Sequence, residues 1–209
     1  PSSRSKTSMG SPPRRGAYPP HQRNGTHPLD RRAAALHSRM KIAIVGPGRL
    51  GKSLTILWRR VGHSVSLTGR NDLPTPADVT VLTVPDREIA NAAQRLPFSS
   101  GPVLHTSGAC ELDVLAPHSP AGSLHPLMTF PGPDVAIPEL DGVAAAVAGH
   151  PKAIEVARTL ATDLGMRPFQ VPGDRRLYHA AAVIAGNFAS VLLLEAARVL
   201  EQAGVPPDQ

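Results

Sequence analysis

Lys41-Ile42-Ala43-Ile44-Val45-Gly46-Pro47-Gly48-Arg49-Leu50-Gly51 is the stretch that decides the fold. An unbroken apolar run leads into glycines at G-x-G-x-x-G spacing, and Leu50, Leu54, Leu57, Trp58 and Val61 follow at helical intervals. The pattern predicts strand, tight turn, helix. Gly46 permits the turn, Gly48 lets the backbone approach a pyrophosphate, and Gly51 lets the helix pack closely on the strand. The unpaired N–H groups and the dipole at the helix N-terminus favour phosphate there. A second strand over residues 63–68 follows, so the context is that of a dinucleotide-binding βαβ unit and not of an isolated glycine turn. Gly46, Pro47, Gly48, Arg49, Leu50 and Gly51 are therefore the candidate cofactor-binding residues.

The nucleotide's ribose is read beyond the second strand, where an acid suits a 2′-hydroxyl and an arginine suits a 2′-phosphate. Arg70 stands there, with Ser66, Thr68 and Asn71 nearby, and Asp72 lies past the expected strand end. NADP(H) is favoured over NAD, against the alternative of a solvated loop arginine.

At 209 residues the chain has room for one α/β domain and part of another. Aromatics make up only 3%, so the core must come from aliphatic residues and alanine. Cys110 is the single cysteine; no disulfide forms within the chain, which fits a reducing, cytoplasmic setting. The net charge of +6 invites a nucleic-acid reading. Residues 1–40, however, carry eight basic side chains against Asp30 alone, which leaves the remainder at −1. A basic groove on the folded part is unsupported, and no nucleic-acid partner is expected. No membrane partner is expected either: the apolar stretch at 180–197 is broken by Asn187 and Glu195 and reads as a buried helix.

Residues 1–39 hold six prolines and many Ser and Arg, without apolar periodicity, and are expected to be a disordered basic extension. A transit peptide or a functional arm are the alternatives, with Met40 as the natural start. Further strands are expected at 78–85, 102–106, 121–127, 143–148 and 168–171, with helices at 87–96 and 152–164. Pro85-Asp86 should open the first of these helices, and the ten or so residues between strands two and three leave room only for an abbreviated crossover. Val84, Pro85, Thr106, Ser107 and Gly108 then share the carboxyl rim of the sheet with the glycine turn, where open parallel sheets bind ligands. Val84 and Pro85 join the cofactor-binding candidates. From Asp174, a capping residue, a long helix runs to about Ala203, ended by Gly204 and Pro206.

Gly46 to Gly51, Thr83-Val84-Pro85-Asp86, His105-Thr106-Ser107-Gly108, Ser123-Leu124-His125-Pro126 and Ala185-Gly186-Asn187-Phe188 together resemble one family. It is the Rossmann-like family of unassigned activity with a C-terminal domain of unknown function (DUF2520), related to ketopantoate reductase, pyrroline-5-carboxylate reductase and the deazaflavin-dependent NADP oxidoreductases. The resemblance spans residues 40–209. It implies an α/β fold with a Rossmann-type, mostly parallel, doubly wound sheet (40–173), followed by the first long helix of an all-α dimerisation domain (174–209) that continues past this chain. It also implies a homodimer and supports Arg70 as the phosphate ligand. One departure stands out. Ketopantoate reductase and the β-hydroxyacid dehydrogenases carry a catalytic lysine one turn before the helix asparagine, and Val183 occupies that position here.

Hydride transfer to a carbonyl or imine needs a proton donor beside the electrophilic carbon. His125, at a strand end before a proline-bounded loop, is a candidate for that role, and its His-Pro resembles that of prephenate dehydrogenase; a structural histidine is the alternative. Ser107 and Asn187 are the other candidate catalytic residues. His179, two turns before Asn187, shares its helix face. His105 reads as buried structure, and Cys110 as inert. The expected activity is an NADP-dependent oxidoreductase acting on a small carbonyl, imine or hydroxyacid, the alternative being an NADP-binding sensor or scaffold without turnover.

Overall fold

The computed structural model describes residues 39–69, 72–97 and 101–206. Arg70 and Asn71, and all but the last residue of the basic extension, lie outside the described residues. The described residues all fall within one compact unit.

Among the described residues, seven strands build one sheet: β1 (Lys41–Val45), β2 (Ser64–Thr68), β3 (Val79–Leu82), β4 (Val103–His105), β5 (Ala121–Pro126), β6 (Ala144–Gly149) and β7 (Arg167–Phe169). Their order is β2-β1-β3-β4-β5-β6-β7. The first five are parallel, β6 runs antiparallel to β5, and β7 is parallel to β6. β1 and β3 are buried from end to end apart from Lys41, as their continuous apolar runs require. The chain leaves β1 for β2 on one side and returns to β3 on the other. A topological switch point therefore opens at the carboxyl end of β1.

Helices α1 (Arg49–Arg60) and α3 (Pro151–Thr162) share one core, in which Trp58 is fully buried and its indole N–H donates to the Leu160 carbonyl at 3.0 Å. Helix α2 (Ile89–Arg95) packs Ile89 and Ala93 in a second core against Val45, Leu82 and Val103. Residues 72–78 carry no helix, so the crossover from β2 to β3 is short, as the spacing implied.

Several boundaries move. The strand expected at 78–85 ends at Leu82, and Asp86–Glu88 form a 3₁₀ turn before α2. The strands expected at 102–106, 121–127, 143–148 and 168–171 shift or shorten by one or two residues. Pro102 and Pro168 lack an N–H for the ladder, which blurs such ends.

The C-terminal helix is a larger correction. It comprises α4 (Arg175–Val183), a π turn at Ile184–Phe188 and α5 (Ala189–Gln202), so the even α-helix expected from Asp174 is interrupted. Its start is as expected, with the Asp174 side chain accepting from the Arg176 N–H at 2.7 Å, and Gly204 closes it at φ +82°. It is not a buried helix. Leu192, Leu193 and Leu194 are 65–72% exposed, because nothing among the described residues packs on them. Contrary to the reading of 180–197, Arg175–Gln202 is also long and apolar enough to cross a membrane by length and composition. Asn187 and Glu195 are too few to lower that apolar character.

Trp58→Phe removes the donor to Leu160 while keeping an aromatic ring in the core. Urea unfolding is expected to show a loss of about 1–3 kcal/mol with unchanged far-UV circular dichroism.

Candidate functional site

The turn between β1 and α1 is held by contacts that only glycine permits. Gly46 has φ +119°, and a Cβ there would stand 2.9 Å from the Thr83 backbone. A Cβ on Gly51 would run into the Gly46 carbonyl oxygen and the Thr83 hydroxyl. Thr83 Oγ1 donates to that same carbonyl at 2.8 Å, tying the end of β3 to the turn. Sequence reasoning quoted Thr83 within a motif but gave it no role. The available signal was a hydroxyl at a strand end beside the switch point.

Gly48 differs from its two neighbours in the motif. It is the N-cap of α1 with extended backbone (φ −74°, ψ −175°), and nothing lies within 4 Å of where a Cβ would point. No side chain caps the helix and no acid occupies its first turn. Pro47, Gly48 and Arg49 are exposed, whereas Leu50 turns partly into the core. An open, uncapped helix N-terminus at a switch point fits a dinucleotide pyrophosphate. Beside it, Val84 helps line a small hollow with Val45, Asp72, Leu73, Pro74 and Ala92, and Pro85 precedes the exposed 3₁₀ turn.

A larger open pocket of about 460 Å³ lies at the carboxyl end of β5. His125 projects from that strand end, and His179, Val183, Gly186 and Asn187 come from the C-terminal helix. The structure thus brings His125, His179 and Asn187 to one cavity. The π turn forms the wall on which Asn187 sits, and such turns recur at functional sites. No side chain among the lining residues carries an ammonium. Tyr178, which the sequence reading passed over, lies 3.1 Å through its hydroxyl from His125 Nδ1. The His125 and His179 rings stand 5.7 Å apart, and both press on Gly108, where a Cβ would come within 2.5 Å of His179 Nδ1.

Ser107 does not join them. Its hydroxyl donates to Asp86 at 2.8 Å and accepts from the Ala109 and Cys110 N–H groups, which closes the turn after β4. Its carbonyl accepts from Arg175 Nη2 at 3.2 Å. The Ser107 hydroxyl thus holds the rim in this structure. His105 is fully buried, as expected, with Nδ1 accepting from the Ser107 N–H at 3.2 Å.

Burial, reinforced by His179 and Arg175 and opposed by Asp86, pushes the His125 imidazole down to about 4. His105 is also pushed down to about 4, by burial first and then by Arg175 and His125, with Asp86 and the Glu111 backbone pulling the other way. Both rings are neutral at pH 7. Burial likewise lowers Arg175, offset by Glu111, Tyr178 and Cys110, and raises the Tyr178 phenol, offset by Arg175.

This architecture is a Rossmann-like α/β fold, a mostly parallel seven-stranded sheet with flanking helices. Residues 143–209 match the family described as a domain of unknown function (DUF2520), the family that the motifs resemble. Protein TM1727 from Thermotoga maritima has a similar structure at TM-score 0.64 and 22% identity, covering 80% of this chain and 73% of that one. The reductive aminase from Aspergillus terreus, solved with NADPH and ethyl levulinate, is similar at 0.61 and 15%, over 82% and 69%. The 1-pyrroline-5-carboxylate reductase from Streptococcus pyogenes is similar at 0.59 and 15%, over 81% and 73%. No curated protein matches the sequence.

The depressed histidines set a pH dependence. Between about 6.5 and 4 the unfolded chain binds protons that folded His105 and His125 refuse. Stability is therefore full above pH 6.5 and falls on acidification toward 4, by about 3 kcal/mol from His105. Urea midpoints across this range are expected to decline, and His105→Gln to flatten part of the slope.

Proposed function

We propose that this chain binds NADP(H) across the β1–α1 turn and transfers hydride between the nicotinamide and a small carbonyl, imine or hydroxyacid. The observation that carries the reading is the uncapped N-terminus of α1 at the switch point, on the same sheet rim as the pocket holding His125 and Asn187. The bound nicotinamide supplies or takes up the hydride. The chain's own residues do the rest. Gly46, Pro47, Gly48, Arg49, Leu50 and Gly51 seat the pyrophosphate, with Val84 and Pro85 bounding the nucleotide. Arg70 takes the 2′-phosphate, which selects NADP over NAD.

His125 and Asn187 hydrogen-bond the reacting oxygen or nitrogen, and Leu127, Met128 and Val183 exclude water around it. The complex of the similar Aspergillus terreus reductive aminase with NADPH supports this choice of cofactor. Pairing of two copies through the C-terminal helical domain, to which α5 belongs, is part of the same reading; sedimentation of a full-length version is expected to show a dimer.

Val183 in the pocket wall favours a second reading, in which the cofactor binds without turnover. That reading expects tight NADPH binding with no oxidation by any keto acid or imine in a panel.

Gly48→Asp tests the cofactor site directly. The backbone at this N-cap suits aspartate, so the melting temperature is expected to hold or rise. The added carboxylate repels the pyrophosphate, and NADPH affinity by nicotinamide fluorescence is expected to fall at least about tenfold. Unchanged affinity would place the nucleotide elsewhere.

A further inference from the structure

We infer that His179 and His125 present a pair of ring N–H donors to the oxygen of a small keto or hydroxy acid, with Tyr178 as the positioning residue that sets the tautomer of His125. The inference rests on the reductase reading above and narrows its substrate class.

His179 stands one helical turn before Val183 and lines the same pocket. Its Nδ1 is buried against Gly108 with no hydrogen-bond partner among the described residues. An imidazole carries at least one N–H, and orphaned buried N–H groups are rarer than orphaned acceptors. The hydrogen therefore sits on Nε2. That nitrogen is neither buried without a partner nor hydrogen-bonded among the described residues, and it belongs to a ring that lines the pocket.

His125 reaches the same arrangement by another route. Its Nδ1 lies 3.1 Å from the Tyr178 hydroxyl, and that hydroxyl has no other hydrogen-bond partner among the described residues. Tyr178 donates and Nδ1 accepts, the direction that gives this O–H its one protein acceptor among the described residues. The His125 hydrogen is thus also on Nε2, in a ring that likewise lines the pocket. The ring centres stand 5.7 Å apart, a spacing that suits two donors on one carboxylate.

The remaining wall selects the ligand further. Leu127, Met128, Ala182 and Val183 are apolar, and no acidic side chain lines the pocket among the described residues. A protonated amine would face two N–H donors with no carboxylate to balance it, whereas a carboxylate or carbonyl oxygen accepts from both. A cavity of about 460 Å³ suits a compact acid with a short apolar tail.

The test uses the full chain with 2-oxobutanoate and butylamine as probes. Long-range ¹H–¹⁵N spectra of the histidine rings at about pH 7.5 are expected to show Nε2–H at His125 and His179. Adding 2-oxobutanoate, but not butylamine, should move both Nε2 resonances. His179→Leu should weaken 2-oxobutanoate at least about tenfold, while His179→Gln, which keeps an N–H at that reach, restores most of it. Tyr178→Phe should release His125 from the Nε2–H tautomer. NADPH is titrated on the same samples. Absence of NADPH binding would refute the reductase reading, and the tautomers would still decide the donor pair. Normal NADPH binding with Nδ1–H at His179, or with rings indifferent to the acid, would overturn this inference alone.

Discussion

The closeness of Gly51 to the Gly46 carbonyl, with Thr83 bonded to the same oxygen, is the constraint on which the rest of this molecule depends. It brings α1 down onto the end of β1 and fixes the direction in which the helix points its unpaired amides. From there the sheet extends outward. β3 enters beside β1, the switch point opens between them, and the ends of β4 and β5 fall on the same rim. The three glycines do different work. Gly46 and Gly51 have no room for a side chain, whereas exposed Gly48 has nothing within 4 Å of where a Cβ would point.

The second half of the site is assembled from elements far apart in the chain. His125 leaves the last parallel strand, and the helix that begins at Arg175 crosses to meet it. One hydrogen-bond chain runs between these parts: Arg175 donates to the Ser107 carbonyl, and the Ser107 hydroxyl donates to Asp86 in the 3₁₀ turn before α2. The Nε and Nη1 groups of Arg175 are buried without hydrogen-bond partners among the described residues, and its charge acts on the neighbouring imidazoles. That field adds to burial in keeping His125 neutral.

Much of this was legible in the sequence, and for physical reasons. The spacing of Gly46 and Gly51 is dictated by sterics, and β1 and β3 are so rich in apolar and β-branched residues that they read as buried strands. Asp174 and Gly204 mark the helix ends because caps have few chemical solutions. Other features left no local trace. The reversal of β6 against β5 follows from the path of residues 127–143, not from the alanine-rich strand itself. The π turn needs one extra residue per turn within an apolar stretch that would serve an α-helix equally well. The same composition describes a helix that is buried and one that is exposed, which is why α5 was misjudged. Tyr178 and the engagement of Ser107 depend on tertiary contacts across 53 and 21 residues, respectively.

Hydrogen–deuterium exchange at the Arg49, Leu50 and Gly51 amides, with and without saturating NADPH, addresses the central claim most directly. If the nucleotide's phosphates rest on the start of α1, these three amides slow markedly while the opposite end of the helix, at Arg59 and Arg60, stays unchanged. Equal exchange in both states, with NADPH demonstrably bound, would contradict the account.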